Sequence, residues 1–484
     1  MNSKRTNLII SLMLAMFLAA VEGTIVTMAT PTIAKELQGF ELISLVFSVY
    51  LLTSAISTPI YGKLADLYGR KNVLSIGILL FLAGSSLCGL SQSIVMLIAF
   101  RAVQGLGAGG IFTVSFTIIG DEFPLAERSK IQGGLSTVWG IATLVGPFLG
   151  GFLIDTLSWH WIFFINIPFG LLSILLLQKS LKETFHKKKH GIDFAGIITL
   201  SLAVMALLSI FIFDQGSDSS RYAIFVAAVA MITVLLLVAF YIIERKAKEP
   251  IIPFDIFTRT TAIVNVLSFF VYAVLMGIDV YMPLYLQNIL GYRPTVSGLV
   301  MLPMSVSWLI VSFILGKLLV KYGGKAVIVT AGTVILAGTL LLFTLGIDSP
   351  MLSALIFNFV MGIGFGGAAT TLTVIVQDSV EYNKRGVAVA ANTLLRTLGQ
   401  TIGISIFGNI FNVHITRYFM NQGISGIDSG NLYQSAALSA EQVKLALLSS
   451  MHALFIAFIL ISLLSVVFAA AMPGRKGRGR SKSV

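Results

Sequence analysis

Four charged side chains stand inside long apolar runs of this 484-residue chain: Glu22, Arg101, Asp279 and Arg396. At a helix centre in hydrocarbon an Asp, Lys or Arg costs about 2.5 to 3.5 kcal/mol, so a charge kept there is a candidate for function. An enclosed carboxyl can take a proton from one side of a membrane and release it when a substrate or the other compartment arrives. Guanidinium does not titrate in proteins and serves as a fixed counter-charge. Glu22 and Asp279 are therefore the proton-coupling candidates, and Arg101 and Arg396 the counter-charges. The plainer alternatives are a static Glu22–Arg101 ion pair and an interfacial, water-facing Asp279. Glu22 lies nine residues before Pro31 and Arg101 eight after Ser93. A rise of about 1.5 Å per residue puts both roughly 12 to 14 Å below the outer surface. Asp279, nine residues before Asn288, reaches a similar depth, and Arg396, ten after Gly386, lies near the midplane. On this estimate the four line a central cavity.

The elements that must hold these residues follow from composition. Hydrophobic residues make up 56% of the chain and charged residues 11%, against about 25% charged in globular proteins, and the mean hydropathy is +0.92. That excludes a water-soluble fold. A crossing helix needs ~20 apolar residues for a ~30 Å hydrocarbon core. The pattern predicts an all-α polytopic membrane protein with fourteen such helices. Six spans, Leu8 to Ala29, Ile43 to Tyr61, Val73 to Leu90, Ile94 to Ile119, Gly133 to Leu157 and Trp161 to Leu177, form an N-terminal bundle within residues 1–182. Two more, Phe194 to Phe213 and Tyr222 to Ile243, form an inserted linker over 183–250. The last six, Ala262 to Leu286, Val296 to Leu319, Ala326 to Leu345, Leu352 to Val376, Gly386 to Val413 and Met451 to Ala471, form a C-terminal bundle over 251–484 with an outer loop, Thr416 to Ser450, and a basic tail. The first span is too long for a signal peptide and reads as an anchor. Most of the 33 Lys and Arg fall on the side that holds both termini, which places that side in the cytoplasm of a multi-pass plasma-membrane protein. The net charge of +12 is thus a topology signal with lipid contact as a secondary role, and nucleic acid is not an expected partner.

The halves repeat. Val103, Gly105, Gly107, Gly109 and Gly110 recur as Val360, Gly362, Gly364, Gly366 and Gly367, with Asp121 and Arg128 matching Asp378 and Arg385, all 257 residues later. Gly62-Lys63-Leu64 and Gly69 recur 254 residues later as Gly316-Lys317-Leu318 and Gly323. Parallel halves rocking about a central site are a plan of secondary transporters. The match fails where Asp66 faces Val320, Arg101 faces Asn358 and Trp139 faces Arg396, so function is expected at those positions.

Gly62-Lys-Leu-Ala-Asp66-Leu-Tyr-Gly69-Arg70-Lys71 resembles the cytoplasmic loop motif of the major facilitator superfamily. Its glycines permit a tight turn, and Asp66, Arg70 and Asp121 can form a charge latch that holds one conformation closed; the alternative is an ordinary turn with solvated charges. Arg101-Ala-Val-Gln104-Gly105-Leu-Gly107 is similar to the superfamily's fourth-span motif. Gly146, Pro147, Gly150 and Gly151 resemble its antiporter motif, with Ala142 in place of the usual first glycine. Trp159-His-Trp161-Ile-Phe-Phe-Ile-Asn166-Ile-Pro168-Phe-Gly170 and fourteen spans resemble its drug:proton antiporter branch, with Glu22 where Asp is usual and His160 where Arg is common. The resemblance implies the major facilitator fold and proton-coupled multidrug efflux, with the proton as coupling ion and no other cofactor. Small amphipathic or cationic compounds would be the substrates. On the expected cavity spans, Trp139, Tyr272, Tyr281, Trp308 and Asn358 can stack on or hydrogen-bond such a ligand, although packing is the commoner role of each. An exporter of one metabolite or peptide would use the same motor. A membrane enzyme would need clustered catalytic or metal-binding groups, which the sequence does not offer: Cys88 is the only cysteine, and His160, His414 and His452 lie far apart.

Overall fold

In the computed structural model the chain is described except at residues 1–2, 124, 182, 184–192, 211–218, 248–249, 251–253, 382–383, 434–437 and 474–484. Some helical side chains also lie outside the described set, among them those of Asp66, Trp139 and residues 125–130. The helices are α1 Ser3–Glu36, α2 Ile43–Tyr68, α3 Arg70–Gly89, α4 Ile94–Glu122, α5 Leu125–Thr156, α6 Trp161–Phe164, α7 Asn166–Ser180, α8 Phe194–Ser209 and α9 Ser219–Lys246. They continue as α10 Arg259–Leu284, α11 Pro294–Phe343, α12 Met351–Asp378, α13 Arg385–Asn421 and α14 Ala440–Ala471. Among the described residues, ten stretches are long and apolar enough to span a membrane, and Gly140–Thr156 and Phe194–Leu207 are shorter apolar helices. The 50 residues of α11 would extend about 75 Å if straight, and the chain instead turns at Gly323, whose φ is 80°. α13 is not among the ten; its residues Asn392, Arg396 and Gln400 recur every four positions and give it a polar stripe.

Two boundaries differ from the sequence reading. α1 runs through Pro31 to Glu36, because the chain turns only at Gln38 and Gly39, where Gln38 takes a positive φ of 49°. Pro31 therefore does not end the helix. The segment read as an outer loop from Thr416 is helical at both ends, as α13 continues to Asn421 and α14 begins at Ala440.

Two compact units divide the chain. One holds Met1–Ile251 with Ile278–Leu299 and Ile404–Met451; the other holds Ile252–Gly277, Val300–Gly403 and His452–Val484. In the first unit, α4 packs against both α2 and α3 through glycines that admit the neighbouring backbone. A side chain at Gly105 would strike the Tyr50 carbonyl and Thr53, one at Gly109 the Ser54 carbonyl, and one at Gly107 the backbone of Gly77 and Phe81. In the second unit the same contacts recur on α12: Gly362 against the Met304 carbonyl and Ser307, Gly366 against Trp308, and Gly364 against Ala331 and Ile335. Every partner is displaced by 254 residues, as the sequence repeat requires. The turns match as well, Gly69 having φ 90° and Gly323 φ 80°.

Within the first unit, segments distant in sequence also meet. Gly151 lies under the Pro294 carbonyl and Gly298 under the Pro147 carbonyl. Asp155 Oδ2 accepts from the Thr295 amide at 2.9 Å and its hydroxyl at 2.5 Å, and Gln287 Nε2 donates to the Met28 carbonyl at 3.0 Å.

Replacing Gly107 with Ala forces a methyl against the α3 backbone at Gly77 and Phe81, and overpacking of this kind costs about 1–3 kcal/mol. Gly107→Ala should therefore lower the thermal unfolding temperature of the purified protein, whereas Gly120→Ala, with open space around it, should not. Equal unfolding temperatures for the two variants would show that the α4 glycines are not packing contacts.

Candidate functional site

The four intramembrane charges separate into different environments. Glu22 on α1 and Arg101 on α4 are both fully buried. Arg101 Nη1 donates to Glu22 Oε1 at 2.5 Å and to Gln104 Oε1 at 2.8 Å, and its Nε donates to the Val46 carbonyl of α2 at 3.2 Å. The guanidinium carbon sits 4.0 Å from the centre of the Tyr50 ring, in a cation–π position. The other carboxylate oxygen, Oε2, accepts from Asn166 Nδ2 of α7 at 2.9 Å. Asn166 Nδ2 also donates to Ser85 Oγ of α3 at 3.0 Å, and Ser85 donates to the Phe163 carbonyl of α6 at 2.8 Å. Donors from α4 and α7 thus engage the two oxygens of one acid.

This site forms where the local sequence permits close packing. A side chain at Gly146 would strike Thr24, and one at Gly150 would meet the Ile25 carbonyl at 2.8 Å, so the antiporter motif of α5 lies directly on the turn of α1 that carries Glu22. On α4, Gln104 follows Arg101 by three residues and shares its face.

Asp279 is half-buried and has no hydrogen-bond or ion-pair partner among the described residues. Arg396 donates to Tyr272 Oη at 3.2 Å, the Ala369 carbonyl at 3.2 Å and Thr373 Oγ1 at 2.7 Å, with its guanidinium carbon 4.9 Å from the centre of the Tyr272 ring. No described carboxylate pairs with it. Asn358 donates to the Val300 carbonyl at 3.1 Å, which is the Arg101–Val46 bond shifted along the repeat. Tyr281 packs against Phe411 at 5.2 Å between ring centres and Trp308 against Phe365 at 6.3 Å. The Trp139 side chain lies outside the described residues.

Between α2 and α3, Gly69 turns the chain and α3 begins at Arg70. The Arg70 guanidinium pairs with Asp121. Glu183 takes the exposed helix end: Oε1 accepts from the Arg70 amide at 2.8 Å and Oε2 from the Lys71 amide at 3.1 Å, which satisfies two of the amides that a helix start leaves open. Gly62 approaches Thr113 of α4 at van der Waals distance, and the Asp66 side chain lies outside the described residues. The sequence reading missed Glu183, Asn166, Gln104, Tyr50 and Ser85. Only Gln104 and Asn166 carried a signal, as members of the quoted motifs.

The buried charge pair is satisfied by hydrogen-bonding side chains and one backbone carbonyl, an arrangement that suits binding of ions rather than bond making, and the chain carries a parallel helical repeat of the kind found among transporters. A model of the Major Facilitator Superfamily matches residues 12–196 and 194–404, and the chain belongs to that family. It is 36% identical over 443 residues to the multidrug transporter protein MdtP of Bacillus subtilis (strain 168), covering 91% of this chain and 81% of that protein. To multidrug resistance protein 3 of the same bacterium it is 30% identical over 492 residues, covering 98% and 96%. Its fold is similar to that of a bacterial homolog of the human lysosomal transporter Spinster, solved inward-facing and unoccupied, with a TM-score of 0.69 and 14% identity over 98% of each chain. The protein is a transporter and not an enzyme.

Removing one partner of a buried ion pair costs about 3–5 kcal/mol. Arg101→Met should lower the unfolding temperature sharply, and adding Glu22→Gln to it should restore part of the loss. Losses that simply add in the double variant would show that the two charges do not depend on each other.

Proposed function

We propose that the protein is a proton-coupled antiporter of the fourteen-span drug:proton branch, exporting hydrophobic, often cationic drugs across the plasma membrane by alternating access. The observation that carries this reading is Glu22, enclosed without exposure between Arg101 and Asn166. An acid so held exchanges a proton for a cation at one site, and the similarity to two multidrug transporters supports drugs as the cargo. Proton entry down a membrane potential supplies ~2.3 kcal/mol per charge per 100 mV. Glu22 is the main proton and cation site. Asp279, unpaired among the described residues, is the second, and Arg101 and Arg396 are fixed counter-charges. The fourteen spans are the ten long apolar stretches with α11 counted twice about Gly323, the two shorter apolar helices, and α13. Both termini lie in the cytoplasm, where the Gly62–Lys71 turn with Asp66, Arg70 and Asp121 acts as the latch.

Inverted vesicles carrying the protein, with the lumen made acidic so that protons flow outward, should accumulate a fluorescent cationic drug. Glu22→Gln should reduce this to background, because the amide keeps the shape but cannot exchange the proton, and Glu22→Asp should retain part of it. Asp279→Asn should impair a dicationic compound and spare a monocationic one, since a second buried positive charge needs a second carboxylate. Undiminished proton-driven accumulation by Glu22→Gln would remove Glu22 from the mechanism.

A further inference from the structure

We propose that Asn166 and Ser85 form a hydrogen-bond relay that reads the protonation state of Glu22 and passes it to α3 and α6. The proposal rests on Glu22 being the proton site and adds the residues that respond to it.

The two partners of Glu22 differ in what they can do. Arg101 carries only donors, whereas an asparagine amide presents a donor on one side and an acceptor on the other. With Glu22 as a carboxylate, Asn166 Nδ2 sits between Glu22 Oε2 and Ser85 Oγ, at 2.9 and 3.0 Å, and gives a proton to each. Ser85 has one hydroxyl proton, and it goes to the Phe163 carbonyl at 2.8 Å. The chain of donors therefore runs in one direction, from Asn166 through Ser85 to the backbone of α6.

Protonating Glu22 reverses that direction. Oε1 faces the Arg101 donor, so the new proton resides on Oε2, where it confronts the Asn166 amide protons. Turning the Asn166 amide over by half a rotation removes the conflict: Oδ1 then occupies the position between the two neighbours and accepts from Glu22 Oε2. Ser85 faces the same oxygen and turns its hydroxyl proton from the Phe163 carbonyl to Asn166 Oδ1. No covalent bond changes and no proton leaves the relay; the one added proton stays on Glu22. The net result is that the Phe163 carbonyl, one residue before the end of the single-turn helix α6, loses its side-chain donor.

All members are buried: Glu22, Ser85 and Phe163 have no exposed surface and Asn166 has 2%. Water is therefore not at hand to absorb the mismatch, and an unmade bond there costs about 1–3 kcal/mol. The other charged or titratable groups around Glu22 are Arg101 from α4, Tyr50 from α2 and Cys88 from α3, while α5 and α7 present Gly146 and Asn166. Arg101 keeps its charge. The relay passes through Ser85 on α3, the helix whose other end is held by Glu183.

A single cysteine placed at the exposed Asn72, in the first turn of α3, reports on this, because the native Cys88 is buried and inert to label. In the full-length protein in proteoliposomes, the labelling rate at position 72, divided at each pH by the rate of the same cysteine in the denatured protein so that the thiol's own ionisation cancels, should depend on pH, and that dependence should disappear in Glu22→Gln. It should also be lost in Asn166→Leu and in Ser85→Ala, and return in Ser85→Thr, which keeps the hydroxyl. Looser packing alone would alter the rate at all pH values and leave its pH dependence in place. Native pH dependence in both Asn166→Leu and Ser85→Ala would overturn the relay. Full proton-driven efflux by Glu22→Gln would instead overturn the assignment of the proton site, so the two failures are distinguishable.

Discussion

A carboxylate and a guanidinium placed in the apolar interior of the first compact unit set the terms for everything around them. Taking two charges out of water costs several kcal/mol each, and their attraction offsets this only when the remaining donors and acceptors are also satisfied. Five helices contribute to that satisfaction. α1 and α4 supply the pair, α2 supplies the Val46 carbonyl and the Tyr50 ring, α7 supplies Asn166, and α3 holds Asn166 in turn through Ser85. Moving any one of them leaves a buried polar group unpaired, so the pair keeps the bundle in register.

Such a site needs helices that approach closely, and the glycine repeat provides the approach. α4 lies on the backbones of α2 and α3, and α12 makes the corresponding contacts in the second unit. The repeat extends to one polar bond, Arg101 to Val46 and Asn358 to Val300. It then breaks: Asn358 is neutral, and Arg396 of the same unit is held by carbonyl, hydroxyl and phenol groups with no described carboxylate. One architecture thus carries an acid–base pair in one unit and, in the other, a cation with no carboxylate partner among the described residues.

Much of this was legible in the sequence for physical reasons. The membrane imposes long apolar runs, close packing imposes spaced glycines, and buried charge is rare enough to be noticed, so the all-helical fold, the repeat and the candidacy of Glu22 and Arg101 could be read. What could not be read are partners that the fold brings together over long separations in the chain. Asn166 is 144 residues from Glu22 and Glu183 is 113 from Arg70; an Asn or a Glu near the end of an apolar run carries no mark of its target. Helix ends were also hidden, because a helix continues past the hydrocarbon for as long as its own backbone bonds are met. Pro31 did not stop α1, and Asn421 and Ala440 lie well inside the expected loop.

The claim on which the account rests is that Glu22 holds a proton and gives it up when a cationic substrate binds. The most direct measurement is the number of protons released into weakly buffered solution when a cationic drug is added to the purified protein, with Glu22→Gln as the control. Release by the native protein and none by the variant is the predicted result. Equal release by both, or none by the native protein at saturating drug, would contradict it.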